Sequence, residues 1–319
     1  MIEADARRRF EAMATSAGGD ARALAAGLRR ETTAIGLKAL AALLVHAAVS
    51  TPERLAQIYD AASEGWRGKK VVARPMAQRG PRPEPIPEAF WTGFWALLET
   101  PRGTLGAGGV TQRTAELAAL AGPGLRDRLA AVALTYPGVA DAARQGYPRR
   151  FELSELARCP PDSLGGDFHR LIVENGFDLE VLDREDLGLA GLPPPLDYLN
   201  ARILQCHDLW HISAGYRTTG LHEVAISGFQ LGQFGHAYSA LFLATVLTRG
   251  AFERTQAAPV LLDTILGGWT HGRESPPLLG VNWEALWDRP VDAIRADLGL
   301  TPYVSSWPAD MFEQMSAAA

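Results

Sequence analysis

The sequence predicts an all-α protein, on three observations. Apolar residues recur at spacings of three and four along most of the chain, the period of a half-buried helix. Runs of alternating β-branched residues, the mark of strands, are absent. Helix punctuation is also legible: "PPDSLGGDFHRLIVENG" (160–176) opens on cap-type residues and closes at Asn175-Gly176. The expected architecture is a single large helical domain with an additional N-terminal helical region.

Taken in order, residues 1–73 form that N-terminal region, helical through about residue 66. "RPMAQRGPRPEPIPE" (74–88) carries five prolines, a density that forbids helix and predicts an extended linker. Residues 89–319 are the expected core. Its helical texture starts in "FWTGFWALLET" and "QRTAELAALAG" and continues through 160–176. "GLPPPLDYLNARILQ" then leads, prolines first, into a helix from about Asp197 to Gly215. No internal repeat is visible.

The totals narrow the function. With 319 residues and 47% hydrophobic side chains the chain can bury a large core, and a net charge of -5 argues against a nucleic-acid partner. Two cysteines, Cys159 and Cys206, give no disulfide framework, which fits a reducing, cytoplasmic location. "MIEADARRRFEAM" has neither the apolar core of a signal peptide nor the acid-poor make-up of a mitochondrial presequence. Two apolar stretches, 34–50 and 224–248, read as buried helices: Lys38 and His46 interrupt the first, and Gln230, Gln233 and His236 would face lipid in the second. Contact with a membrane surface stays open.

Ionisable groups concentrate in "QCHDLWHISAGYRTTGLHEVAIS" (205–227). At about 100° per residue, His207 and His211 lie roughly 40° apart, one turn above the other, with Asp208 on the same side. Ile203, Leu204, Ala214 and Gly215 share that face, so the polar groups should point inward. "YRTTG" breaks the helix, and Thr218, Thr219 or Gly220 can cap a second one. Glu223 then falls in its first turn, where a tight helix-turn-helix returns its carboxylate over the imidazoles. Two imidazoles with one or two carboxylates suit a divalent metal, held by His207, His211, Glu223 and Asp208. Asp208 either ligates or orients an imidazole through a hydrogen bond. The alternative is a hydrogen-bonded core pair with no ion. His222 reads as a surface or cap residue, His236 as a buried polar residue satisfied by a neighbour, and Cys206 as a small buried hydrophobe.

Along the second helix, Glu223, Ser227, Gln230, Phe234, Tyr238 and Leu241 form one face that runs from acidic through neutral polar to apolar. That gradient suits a ligand with a polar head and a long apolar tail, contacted by Gln230, Phe234, Tyr238 and Leu241. An ordinary core helix with a polar end gives the same pattern. The other side, Ala225, Gly228, Gly232, Gly235 and Ser239, is a small-residue ridge that permits close helix packing.

His207-Asp208-x-x-His211, eleven residues and then Glu223 resembles the signature of the coenzyme Q biosynthesis protein 4 family. The resemblance extends to 160–176, with Leu164-Gly165 followed by Phe168. It extends also to "WTHGRESPPLLGVNWEALWDRPVDAIRADLGLTP" (269–302), with Gly272-Arg273 and Trp283-Glu284. Roughly residues 145–305 are covered. Residues 1–85 match nothing recognisable. The chain departs from the pattern at His222, where the family usually has Gly, at Leu204 and Gln205 before the motif, and at Gln230, often Glu. Those departures suggest a divergent bacterial paralogue.

The resemblance implies an all-helical homodimer that holds a divalent metal and a prenylated lipid. Zinc suits the ligands best; iron, manganese and cobalt also fit. The activity implied is ubiquinone biosynthesis by oxidative decarboxylation at ring carbon 1 of a polyprenyl-hydroxybenzoate, replacing carboxylate by hydroxyl. Asp208 and Arg273 are then the candidate catalytic residues, Arg273 because a guanidinium binds a carboxylate bidentately; a structural ion pair is its alternative. No dinucleotide fingerprint or haem-attachment motif is visible, so dioxygen or a redox-active metal would supply the oxidation. A lipid-binding scaffold that presents intermediates to other ubiquinone-biosynthesis proteins is the second reading, and metal-dependent hydrolysis of a lipid-like ester a third. Either of the first two fits a protein at the inner face of the cell membrane.

Overall fold

A computed structural model describes residues 2–16, 19–72, 83–101, 104, 107–122 and 124–317. These residues form helices joined by turns, and among them no strand occurs. The first half contributes α1 (Ala4–Ser16), α2 (Ala21–Arg30), α3 (Ala34–Val49), α4 (Leu55–Arg67), α5 (Glu88–Glu99), α6 (Ala107–Ala119), α7 (Leu125–Ala133) and α8 (Val139–Ala143). The second half contributes α9 (Leu153–Leu156), α10 (Leu164–Asn175), α11 (Leu196–Ala214), α12 (Gly220–Phe234) and α13 (Ala237–Glu253). After these come α14 (Ala258–Glu274), α15 (Val291–Leu298) and α16 (Met311–Ala317).

The punctuation read from sequence has its expected causes. Ser163 accepts a hydrogen bond from Gly166 N at the start of α10, and Gly176 ends that helix at φ 63°. Gly215 ends α11 at φ 81°; Thr219 precedes α12 in extended conformation but does not cap it with its side chain, its hydroxyl donating instead to the Ala309 carbonyl at 2.6 Å. Residues 74–82 of the proline-rich stretch lie outside the described residues; 83–87 form no helix, and Pro87, in extended conformation, leads into α5.

That stretch does not divide two cores. α3 packs along α13 and α4 against α14, and one buried apolar cluster runs from Phe10 to Leu300. The N-terminal helices are therefore part of the same packed body as α11–α14.

The second apolar stretch differs from its expectation. Residues 224–248 are not one helix: α12 stops at Gly235, φ 65°, and α13 begins at Ala237. A left-handed residue costs glycine little, which explains the break inside an unbroken apolar pattern. Of the small-residue ridge, the first three members pack as read, while Gly235 ends the helix and Ser239 falls on α13. Ala225, Gly228 and Gly232 of α12 face Gly268 and Gly272 of α14. A Cβ placed on Gly228 would sit 2.6 Å from the Ile265 carbonyl oxygen, and one on Gly232 2.6 Å from that of Trp269. No single helix among the described residues is long and apolar enough to cross a membrane; α3 and the segment after it (Pro52–Arg67) pass that test only together, bent by 118°.

Candidate metal centre and its cavity

α11 and α12 meet as a helix-turn-helix and bring four of the expected side chains together. His207 and His211 stand one turn apart with ring centroids 5.0 Å from each other. The Glu223 carboxylate reaches back across the turn, Oε2 3.5 Å from His207 Nε2 and Oε1 3.3 Å from His211 Nε2. Asp208 Oδ1 lies 3.0 Å from His207 Nδ1. That contact lets Nδ1–H donate to the carboxylate and leaves Nε2 facing Glu223.

The charges are coupled. Burial alone would lower the His207 pKa, but the Asp208 hydrogen bond and the charges of Glu223 and Asp208 outweigh it and raise it to about 9. Burial pushes the Asp208 and Glu223 carboxyls up; the facing imidazoles reverse this and hold both below their ordinary range.

His211 tests whether a cation fits. The residue is buried, neither ring nitrogen makes a hydrogen bond, and Nε2 faces Glu223 Oε1 at 3.3 Å. A buried imidazole left unpaired costs free energy that a bound ion recovers. Ligand atoms of His207, Asp208 and His211 all lie within 4.8 Å of one another, as one ion requires. Imidazole nitrogen with carboxylate oxygen suits a borderline divalent cation. The residues present fit one.

Beside this group lies a cavity of about 1450 Å³. His207, Asp208 and Glu223 are on its wall. From His207 it runs down α11 past Leu204, Ile203 and Leu199 to Leu196. Gln230, Tyr238 and Leu241 line it, as the polar-to-apolar gradient predicts, although the last two sit on α13. Beside Gln230, His236 Nδ1 is 2.9 Å from Ser239 Oγ, whose hydroxyl donates to Gln230 Oε1 at 3.4 Å. This order leaves Nδ1 protonated and makes Nε2 the acceptor. Burial, with the charge on His207, lowers the His236 pKa to about 3, so the ring is neutral.

Three expectations are corrected. Phe234 does not line the cavity; it is buried against Trp210, ring centroids 4.8 Å apart. Arg273 is not at the metal group. Its guanidinium lies 3.3–3.4 Å from the Asp60 carboxylate and over the Trp269 ring, the structural ion pair that was its alternative. His222 is buried rather than exposed: Nδ1 accepts from Arg217 N at 2.8 Å, and the ring packs on Tyr216 and Tyr303. Cys206 is fully buried and its thiol is pushed up to about 12 by burial, as a small hydrophobe should be. Leu196 and Leu199 extend the inward face on which the sequence already places Ile203, Leu204 and His207: 196, 199, 203, 204 and 207 are spaced by three, four, one and three, one continuous side of a helix.

Residues 148–303 match the family model described as Coenzyme Q (ubiquinone) biosynthesis protein Coq4. This segment belongs to the Coq4 family. Within it lie the metal-type group and the cavity wall contributed by α11–α13. Curated relatives are similar over about half of the chain. The mitochondrial ubiquinone biosynthesis protein COQ4 homolog of Mus musculus is 29% identical over 159 residues, 47% of this chain and 55% of that one. The mitochondrial COQ4 of Eremothecium gossypii is 28% identical over 152 residues, 47% and 45% of the two chains. The chain thus spans about half the length of the curated relatives it matches. A crystal structure of a Nostoc punctiforme protein assigned to ubiquinone biosynthesis shares the fold. Its TM-score is 0.51 at 22% identity, covering 66% of this chain and 97% of that one.

Proposed function

We propose that the chain acts in ubiquinone biosynthesis on a prenylated aromatic acid, with the ring carboxylate at the metal group and the prenyl tail in the cavity. The observation that carries this is the convergence of the buried His211 imidazole, which makes no hydrogen bond, with His207, Glu223 and Asp208 at one end of a largely apolar cavity of about 1450 Å³. His207, His211 and Glu223, with Asp208 as fourth ligand or as orienting group, would hold one divalent cation, zinc before iron, manganese or cobalt. Bound there, the cation supplies a Lewis acid that stabilises carboxylate or phenolate charge.

The residues do the rest. Asp208 holds His207 so that Nε2 faces the group and is the carboxylate we assign to take a proton. His236 Nε2 offers a hydrogen-bond acceptor to a ring hydroxyl. Apolar walls exclude water from the ring. The reaction we assign is oxidative decarboxylation: the bond from ring carbon 1 to the carboxyl carbon breaks, carbon dioxide leaves, and a C–O bond forms at carbon 1. This is a two-electron oxidation that consumes dioxygen or another oxidant.

A scaffold that binds the same ligand without turnover is the second reading, favoured by a cavity larger than one aromatic ring needs. In either case the protein works as a homodimer at the inner face of a membrane, beside other ubiquinone-biosynthesis proteins. A single-turnover assay separates the two. Metal-loaded protein with ring-carboxyl-labelled prenyl-hydroxybenzoate and dioxygen should release labelled carbon dioxide and hydroxylated ring in equal amounts. Binding with no release would establish the scaffold instead.

A further inference from the structure

The metal-type group belongs to the Coq4 segment, yet part of the cavity is walled by residues outside it. On α6, Thr111, Ala115 and Ala118 follow at spacings of four and three, so they share one side of the helix, and all three line the cavity. Thr114 and Leu117, on the adjoining side, are buried in the core and fix which way α6 faces. Leu125 and Leu129 of α7, one turn apart, add a second strip of wall. The Tyr238 hydroxyl donates to Thr111 Oγ1 at 3.3 Å, so the α6 wall is tied to the wall that α13 contributes.

The choice of side chains matters. Two successive cavity-facing positions of α6 carry alanine, while the core-facing positions carry larger residues. Alanine there leaves open a space that any longer side chain would fill. Along α11 the cavity extends from His207 to Leu196, about 16 Å at 1.5 Å per residue. A slot of that length takes a chain of apolar units rather than a single ring.

Resting on the reading that an apolar tail occupies this cavity, we infer that α6 and α7 gauge the tail: Ala115 and Ala118 set how long and how bulky an isoprenoid chain the cavity accepts. Selection among prenylated ligands then lies in the N-terminal half of the chain, and the chemistry in the Coq4 segment.

The test uses the full metal-loaded chain, its Ala115→Phe and Ala118→Leu variants, and three probes: 4-hydroxybenzoate, 3-farnesyl-4-hydroxybenzoate, and farnesol, which has the tail without the aromatic head. Binding is followed by calorimetry, with metal content and thermal midpoint as checks on folding. Ala115→Phe should weaken both farnesyl probes about tenfold or more, since several methylene-sized groups lose their burial. Ala118→Leu should do the same to a smaller degree. Binding of 4-hydroxybenzoate should change by less than about twofold, since its contacts lie at the metal end. Equal losses for tailed and tail-less probes, or no loss for either farnesyl probe in both variants, would overturn the gauge. The farnesol arm keeps the two readings apart. If the parent protein binds farnesol and Ala115→Phe weakens it, the gauge stands even where no aromatic acid binds and the proposed substrate falls. If the aromatic acid binds the parent and neither variant changes any probe, the gauge alone falls.

Discussion

Gly228 lies in the middle of α12, five residues beyond Glu223, where α12 and α14 approach closely. An added Cβ would lie 2.6 Å from the Ile265 carbonyl oxygen, 2.9 Å from Trp269 N and 3.3 Å from the Gly268 carbonyl carbon. All three are backbone atoms of a helix, so no side chain can rotate away, and Gly228→Ala must push α12 and α14 apart. Overpacking of this kind costs about 1–3 kcal/mol, and a rigid backbone neighbour places it in the upper half of that range. Against it stands the gain of about 1 kcal/mol for Gly→Ala inside a helix. The net expectation is a loss of about 1–2 kcal/mol. Gly27 in α2 supplies the control: a Cβ there meets nothing within 4 Å. Gly27→Ala should therefore stabilise, by about 0.5–1 kcal/mol. Urea unfolding of the two variants reads both shifts from the midpoint at constant slope. Two substitutions identical on paper should move stability in opposite directions. If Gly228→Ala stabilised as Gly27→Ala does, the close α12–α14 approach that positions Glu223 would be wrong.

Protein purified without chelator should carry about one divalent ion per chain by elemental analysis, and His207→Ala with His211→Ala should carry almost none. Full occupancy in the double variant would end the metal assignment. Asp208→Asn should weaken metal binding about 10- to 100-fold while the chain stays folded, measured by competition with a chromogenic chelator. In the metal-free protein the His207 pKa rises from 6.5 to about 9, so its stabilisation is fully present below pH 6.5 and is lost as pH climbs through 9. Melting temperature of chelated protein should fall between those limits, and His207→Gln should remove the fall. Leu241→Asp, which puts a charge on the cavity wall, should weaken a farnesylated ligand far more than tail-less 4-hydroxybenzoate, by calorimetry.

Much of this was legible in the sequence because the signals are local. The i, i+4 histidines, the break at "YRTTG" and a first-turn Glu223 fix a helix-turn-helix by geometry alone, and Gly176 and Gly215 end helices where left-handed backbone is needed. What escaped was tertiary. Gly235 reads as one more member of a small-residue ridge, and only the structure distinguishes a packing glycine from a helix-ending one. Arg273 chooses Asp60, some two hundred residues earlier, and Phe234 chooses Trp210; no spacing rule reaches such partners. The cavity wall on α6 was invisible for the same reason. Alanines that face a cavity and alanines that face a neighbouring helix give one and the same pattern.

The most direct measurement is the affinity of 3-farnesyl-4-hydroxybenzoate, and of the same compound lacking its carboxyl group, for metal-loaded and for chelated protein. A carboxylate seated at the His207–His211–Glu223 group requires that chelation weaken the acid at least tenfold and leave the carboxyl-free compound within about twofold. Equal affinity of the acid for the two forms of the protein would contradict it.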